Sequence, residues 1–431
     1  MKTVNIGLVG FGTVGAGVAE TILKNGNLIA KRAGFTPVLK KIADLDITTD
    51  RGVELPAGIL TTDATAVTDD PSIHIVVELV GGTTFAKDII LRALRKGKSV
   101  VTANKALLAT AGEELFACAA AQGVDIGFEA SVGGGIPCIK ALREGLAANH
   151  IKGILGILNG TCNYILTRME TERANFDDVL AAAQAAGYAE ANPALDVDGH
   201  DTAHKAAILA SLAFGKWFTA EEVCVQGIRS VTINDIEHAA RLGYRIKLLA
   251  IIKEINGRIQ LGVHPALVPV RSLLGNVNGV FNAVWINGDV VGNTMYYGRG
   301  AGRAATSSAV VADLIDIGLN LINDCPRRVP AFPVFTSYHG MMGSEDIVSR
   351  FYVRLQIADR PGVLAKVSGV LGKHGISLAS VTQKEVDQPS VPMIMLTHQA
   401  HESDIQAALA EINLLDDVFE KPVLFRIEDV Q

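Results

Sequence analysis

The 431-residue chain is poor in charge: only 19% of its residues are Asp, Glu, Lys or Arg, and the formal net charge is −6. Without a lysine- and arginine-rich cluster it has no electrostatic footprint for phosphate backbones, which argues against nucleic acid as a partner. It also lacks a leader-like or membrane-spanning start. The opening run is broken by Gly7, Gly10 and Gly12 before an apolar core could form, so a cytoplasmic protein with no membrane association is expected. Cysteine is sparse: Cys118, Cys138, Cys162, Cys224 and Cys325 show no C-x-x-C pair and no histidine at zinc-ligand spacing. Free, mostly buried thiols are expected instead of a disulfide framework or a zinc site. What is abundant is apolar residues, at 49%, and glycine, at 43 residues, which at this length suits a compact α/β enzyme of two or three domains.

The few charges gather in one place. Between Ala183 and Lys205, Glu190, Asp196, Asp198, Asp201 and Lys205 are set among small and apolar residues, and an apolar helix follows immediately. Gly187 ends one helix, Asn192-Pro193 forbids an immediate restart, and Glu190 therefore falls in a loop. With the next helix beginning near Gly199 or His200, Asp201 and Lys205 lie four apart on one face. On a solvated helix such a pair is an ordinary ion pair. Here the flanking surface is too apolar to be solvated, and charges crowded against apolar surface mark sites.

Residues 4–9 read as a strand, and Gly10-Phe11-Gly12-Thr13-Val14-Gly15 turns from it into a helix. This G-x-G-x-x-G lets the backbone approach a pyrophosphate that faces the free N–H groups of the helix N-terminus. A second strand, Val38 to Ala43, ends at Asp44, with Asn25 to Thr36 as an insertion before it. Asp44 would favour NAD, while nearby Lys40, Lys41 and Arg51 leave NADP open. The near-continuous apolar run Ile73 to Val80, the helix Phe85 to Lys96, the strand Ser99 to Thr102 and the strand Val124 to Phe128 extend a doubly wound parallel sheet. Lys105 follows a strand's C-terminal end, where such sheets bind ligands. Glu129-Ala-Ser-Val132-Gly-Gly134-Gly-Ile136-Pro suits a loop with inward carbonyls, the ligand type a hard cation takes. A plain glycine turn is the alternative.

From Ile151 a second unit begins, with the strand Ile154 to Leu158 and then Asn159-Gly-Thr-Cys-Asn-Tyr-Ile-Leu166. Strands are expected over Tyr244 to Glu254, Arg258 to Pro265, Gly279 to Ile286 and Asp289 to Met295, forming a mixed sheet of a kind that pairs with a second copy. Gly302 opens the long helix Thr306 to Ile322 and is a candidate backbone contact to the cofactor. A proline-punctuated linker, Asp324 to Pro333, precedes a strand from Arg350 to Ala358, a helix to His374, strands Ser377 to Glu385 and Val391 to Gln399, a helix Glu402 to Asn413 and a strand Val423 to Ile427. The order βαββαβ is that of a ferredoxin-like domain.

The run Ala183, Gly187, Tyr188, Ala189, Asn192-Pro193, Asp196-Val197, Gly199, Asp201, Lys205 resembles the signature of homoserine dehydrogenases, and the Asn159 segment resembles a second motif of that family. Asp359-Arg-Pro-Gly-Val-Leu364 resembles an ACT regulatory domain. The resemblance implies an α/β protein with a Rossmann NAD(P)-binding domain over residues 1–136, an α+β substrate and dimerisation domain over 137–303, a returning helix and linker over 304–330, and the ACT domain over 350–431. It implies reversible reduction of L-aspartate 4-semialdehyde to L-homoserine, in threonine, methionine and isoleucine biosynthesis, by a monofunctional homodimer or homotetramer. Lys205 would be the proton donor, Asp201 its orienting partner, Lys105 an electrostatic partner of substrate and nicotinamide, and Glu190 the ammonium anchor, with Asp196 also near substrate. Gly10 to Gly15, Asp44, Lys105 and Gly302 would meet the dinucleotide. Glu129 and the carbonyls of Val132, Gly134 and Ile136 would hold a monovalent cation, sodium foremost, and threonine would act at the ACT domain. The rival readings are a non-catalytic dinucleotide-binding amino-acid sensor and an acylating semialdehyde dehydrogenase that uses Cys162.

Overall fold

The computed structural model describes residues 1–332, 338, 340–383 and 390–429. Pro333 and Glu385, at the expected ends of the linker and of one strand, lie outside the described residues, as do Val430 and Gln431. The chain divides into two compact units. One comprises Met1–Gly160, Asp201–Val223 and Val280–Tyr338; the other comprises Thr161–His200, Cys224–Gly279 and the chain from 339 onward.

In the first unit the order is β1 (Lys2–Val9), α1 (Thr13–Ala33), β2 (Phe35–Ala43), β3 (Leu60–Thr61), α2 (Thr65–Thr68), β4 (Ile75–Glu78), α3 (Phe85–Arg95), β5 (Ser99–Thr102), α4 (Lys105–Gln122) and β6 (Ile126–Gly127). The six strands form one parallel sheet in the order β3-β2-β1-β4-β5-β6. Ile75, Val76, Val77 and Glu78 are all fully buried, the expected state of a central parallel strand covered on both faces. The order reverses at β1, so the glycine turn after β1 opens onto the switch-point crevice where ligands bind.

Local deviations from the sequence reading have identifiable causes. Asn25 to Thr36 is not a loop insertion: α1 runs on to Ala33, kept helical by the buried Ile29 and Ala33, and stops where Gly34 turns left-handed at φ 76°. β6 is shorter than expected because Val124 donates its N–H to Ala119 O, closing the end of α4 instead of joining the sheet. The long helix Arg303–Ile322 begins one turn early, after Gly302 at φ 112°. It is apolar and long enough to cross a membrane by length and composition. Its apolar face is occupied by this unit's core, where Val310, Leu314 and Ile317 pack with Ile6, Leu8 and Ile22. Phe281–Gly288 lies antiparallel between Ile151–Ile157 and Gly292–Arg299. The helix His200–Phe214 is buried along nearly its whole length.

In the second unit the long hairpin Tyr244–Ile255 with Arg258–Pro269 pairs in unbroken antiparallel register. The C-terminal segment forms a sheet in the order Val423–Ile427, Val348–Ala358, Ser390–Thr397, Leu378–Gln383, with helices Val363–Lys373 and Glu402–Ile412 packed on it. This sheet is continuous with the hairpin, because Val423–Ile427 runs parallel to Arg258–Pro269 through Ala266↔Arg426 and Leu267↔Ile427. Asn192-Pro193 does not delay the next helix either. A single turn, Ala194–Val197, starts directly after Pro193, since a proline at a helix start sacrifices an N–H that has no partner there anyway. The cysteines are all free, but only Cys138 and Cys162 are buried; Cys224 is exposed, because its short strand lies on the outer flank of Arg258–Pro269.

Candidate active site

The dinucleotide cradle begins at Gly10, whose φ of 102° and contact with the next strand both require glycine: a Cβ there would lie 2.6 Å from the Leu79 carbonyl. At Gly15 a Cβ would lie 2.1 Å from Gly10 O, so the turn and the first turn of α1 are pressed together. The turn, the end of β2 and the β4–α3 loop enclose a cavity of about 580 Å³ lined by Gly10, Gly12, Asp44, Arg51, Gly81 and Phe85. Phe11, Thr13 and Val14 complete the loop at the N-terminus of α1, where backbone N–H groups lack helical partners and attract a pyrophosphate. Asp44 does more than face this space. Its carboxylate accepts from Phe11 N at 2.5 Å and from Asp46 N at 2.9 Å, tying the glycine turn to the end of β2. Gly302 opens the helix whose first residue, Arg303, bonds Glu20 and the Arg51 carbonyl.

One residue that shapes this crevice is invisible as a site residue in the sequence. Glu78, buried at the end of β4, accepts from Val80 N at 2.9 Å, Gly81 N at 3.2 Å and Thr102 Oγ1 at 2.7 Å. Burial raises its pKa. Asn104 reinforces the same loop by donating to Gly82 O at 2.7 Å while capping α4 at Leu107 N.

The charged centre lies in the same unit. Lys205 Nζ donates to Asp201 Oδ2 at 2.6 Å and to the Leu158 carbonyl at 2.7 Å. Lys105 Nζ is 3.0 Å from Asp201 Oδ1, and Asn159 Nδ2 donates to Asp201 Oδ2 at 2.9 Å. Asp201 is 4% exposed and Lys205 8%, whereas the Lys105 side chain is 36% exposed. Burial on its own would push the Asp201 carboxyl up; the Lys205 ammonium, then Lys105 and the Asn159 amide, outweigh it and hold the group far below the usual carboxylate range. Asn159 was legible only as part of a motif. Its position directly after an apolar strand, one residue beyond the carbonyl that Lys205 uses, is the signal that could have identified it.

Glu129 opens a turn of 3-10 helix, with its carboxylate accepting from Ile139 N at 2.9 Å and Lys140 N at 2.8 Å. Its own N–H donates to Asp313 Oδ2 at 2.8 Å, a partner far away in the chain that sequence reading did not find. Burial, helped by the Asp313 charge, pushes Glu129 up to about 7, and burial pushes Asp313 up to about 6. The nearest cation, Lys140 Nζ, is 3.8 Å from Asp313. The carbonyl of Val132 accepts from the Cys138 thiol and that of Ile136 from Cys138 N, and each retains a second lone pair. Gly134, at φ 55°, is pressed against the Gly300 carbonyl. Two buried carboxylates that share one ammonium, in a loop whose carbonyls keep acceptor capacity, are oxygen ligands of the type a hard cation takes.

Glu190 and Asp196 belong to the other unit, each in its own setting. The Glu190 loop is pinned by Gln184 Nε2, which donates to Glu190 O at 2.9 Å, and by Thr161 Oγ1, which donates to Tyr188 O at 2.8 Å. Asp196 sits in the Ala194–Val197 turn, and its carbonyl accepts from the Cys162 thiol at 3.2 Å. Cys162 is fully buried, an environment that suits a packed thiol and not an exposed nucleophile.

Comparison with known proteins agrees with this geometry. Residues 10–129 match the homoserine dehydrogenase NAD binding domain, 137–315 the homoserine dehydrogenase family and 351–415 the ACT domain. The homoserine dehydrogenase of Pseudomonas aeruginosa is 45% identical over 435 residues, spanning 100% of both chains. That of Bacillus subtilis is 38% identical over 430 residues and 99% of each chain. The crystal structure of a homoserine dehydrogenase from Thiobacillus denitrificans matches with a TM-score of 0.94 at 45% identity, over 100% of this chain and 99% of that one. A hyperthermophilic archaeal homoserine dehydrogenase in complex with NADPH matches with a TM-score of 0.62 at 29% identity, over 74% of this chain and 98% of that one. With a glycine cradle for NAD(P), a buried carboxylate between two lysines and these matches along its whole length, the chain belongs to the homoserine dehydrogenase family, the NAD(P)-dependent oxidoreductases that act on homoserine.

Proposed function

We propose that Lys205, held by Asp201, manages the proton in the reversible reduction of L-aspartate 4-semialdehyde to L-homoserine. The observation that carries this reading is the double engagement of Asp201 by Lys205 and Lys105 in a buried site. When bound, the dinucleotide supplies the hydride to the carbonyl carbon, or accepts it in reverse. As the carbonyl double bond opens, its oxygen takes the electron pair and needs a proton. Lys205 has three N–H bonds, and two are committed, to Asp201 and to the Leu158 carbonyl. The third is the one assigned to the nascent alkoxide. The fixed bonds aim the ammonium where solvent is scarce. Lys105, more exposed, stabilises the same developing negative charge and meets the nicotinamide side of the crevice. Glu190 anchors the substrate ammonium, with Asp196 beside it.

Glu129 and the carbonyls of Val132, Gly134 and Ile136 would hold sodium, whose charge would offset the buried carboxylates and fix the loop at the end of β6. Threonine is the effector assigned to the ACT domain, and a homodimer or homotetramer is the assembly assigned to the whole chain. The pathway is that of threonine, methionine and isoleucine formation. Two measurements test these assignments. Lys205→Ala should lower kcat at least about a hundredfold with dinucleotide affinity nearly unchanged; near-normal turnover would refute the proton role. Initial rates with L-homoserine should fall when sodium is replaced by a bulky organic cation and when millimolar threonine is added. Rates indifferent to both would remove the cation and the effector from the scheme.

A further inference from the structure

Glu78 is a buried carboxylate that takes no part in the proton chemistry. It ends β4 at the C-terminal edge of the parallel sheet, in register with Val9 of β1 on one side and Thr102 of β5 on the other. β1 leads into the glycine turn and β5 leads to Lys105, so Glu78 lies between the cofactor cradle and a lysine that meets Asp201. Burying a carboxylate is costly, and the groups that answer this one are neutral donors drawn from separate segments.

The oxygens serve different partners. Oε1 accepts from Val80 N at 2.9 Å and Gly81 N at 3.2 Å, which fixes the stretch that walls the 580 Å³ cavity and presses on Gly10. Oε2 accepts from Thr102 Oγ1 at 2.7 Å. That hydroxyl oxygen accepts in turn from Asn104 N at 3.0 Å, and the Asn104 side chain spans from Gly82 O, at 2.7 Å, to Leu107 N, at 3.1 Å. Lys105 is the next residue and the first of α4, with its ammonium 3.0 Å from Asp201 Oδ1. An unbroken hydrogen-bonded path therefore runs from the cavity wall, through one carboxylate, to the backbone that aims Lys105. Only an acidic side chain can accept at both ends of such a junction. We propose that Glu78 is a positioning residue: it holds the loop that faces the dinucleotide and the Asn104–Lys105 backbone in one frame, so that Lys105 is placed for the reacting oxygen. The proposal rests on the role given to Lys105, for which a misplacement of about 1 Å costs up to about a hundredfold in rate.

The test uses variants of the full chain, with homoserine kinetics, calorimetric titration of NADH and NADPH, and melting temperatures. Thr102→Val cuts the path to Asn104 but leaves the bonds between Glu78 and the loop. It should lower kcat about tenfold or more while dinucleotide affinity stays within about threefold, and Thr102→Ser, which restores the hydroxyl, should recover most of the loss. Glu78→Met removes both arms, so it should lower kcat to the same degree and also weaken the dinucleotide at least about fivefold. Glu78→Gln keeps an acceptor for the loop and offers an amide N–H to the second lone pair of Thr102 Oγ1, and should stay within about threefold of wild type on both measures. In a Lys105→Ala background, Thr102→Val should cause no further loss. Full additivity in that double variant, no recovery in Thr102→Ser, Glu78→Gln as impaired as Glu78→Met, or losses that follow melting temperature instead of the state of the path would each overturn the proposal. Normal turnover in Lys105→Ala alone would remove the role of Lys105 and the proposal with it, whereas impaired turnover with additivity removes the proposal alone.

Discussion

A buried carboxylate is tolerated only where its charge is answered, and Asp201 is answered three times, by Lys205, Lys105 and Asn159. The four-residue spacing of Asp201 and Lys205 is visible in the sequence because helix geometry is local. That Lys105 and Asn159 meet the same carboxylate is not visible, since nothing in their own neighbourhoods names a partner so distant in the chain. Glu190 is the residue whose role is easiest to separate from the chemistry. Replacing it with Gln keeps size and hydrogen bonding but removes the charge that a substrate ammonium needs. The expected effect is a rise of about tenfold or more in the KM for homoserine with kcat largely retained, the size of one lost charge-assisted bond. Lost turnover at an unaltered KM would reassign Glu190 to chemistry.

At the scale of elements, the strand Tyr244–Ile255 contributes a buried lysine that the reaction does not use. Lys247 Nζ donates to Val277 O at 2.6 Å, Asn278 Oδ1 at 3.0 Å and Asn163 Oδ1 at 3.2 Å, joining the strand to the helix Gly160–Glu172 and to the loop before Phe281. Burial pushes its ammonium down to about 8. An unfolded lysine titrates near 10.4, so between these values the unfolded chain holds a proton that the folded chain has released. Stability due to this group therefore rises with pH across that window, by at most about 1.4 kcal/mol per pH unit, and its full cost is felt below pH 8. In Lys247→Met that slope should vanish from urea unfolding measured at several pH values from 8 to 10. An identical slope in variant and wild type would mean that the buried lysine keeps its proton over this range just as the unfolded chain does.

For the molecule as a whole, the unexpected feature is that the ferredoxin-like sheet completes the sheet of the long hairpin. Asp235 strengthens this union: fully buried, it caps the helix Ile233–Arg241 through Thr232 and also accepts from Arg354 Nε at 2.7 Å. Lys253 adds a 2.6 Å contact with Glu428. A chain shortened to remove everything from Val348 would expose a strand edge and leave Asp235 without its cation, costs that together exceed about 3 kcal/mol. It should therefore melt lower and associate more than the full chain in light scattering. A truncated chain with unaltered melting and association would show that the C-terminal sheet is only appended.

The sequence by itself determined the features whose information is local. Alternating apolar strands and helices specify a parallel sheet, glycines mark the turn after the first strand, βαββαβ order specifies the ferredoxin-like fold, and i,i+4 spacing places Asp201 under Lys205. Even there, boundaries moved where distant packing overrode propensity, as when buried Ile29 and Ala33 carried α1 through Asn25-Gly26-Asn27. Tertiary structure alone decided which charge answers which: Lys105 against Asp201, Asp313 against the Glu129 N–H, and the C-terminal sheet against Arg258–Pro269. The physical reason is that periodicity fixes which face of an element is apolar, whereas a charge finds its partner only when elements far apart in the chain pack and exclude the water that would otherwise have served.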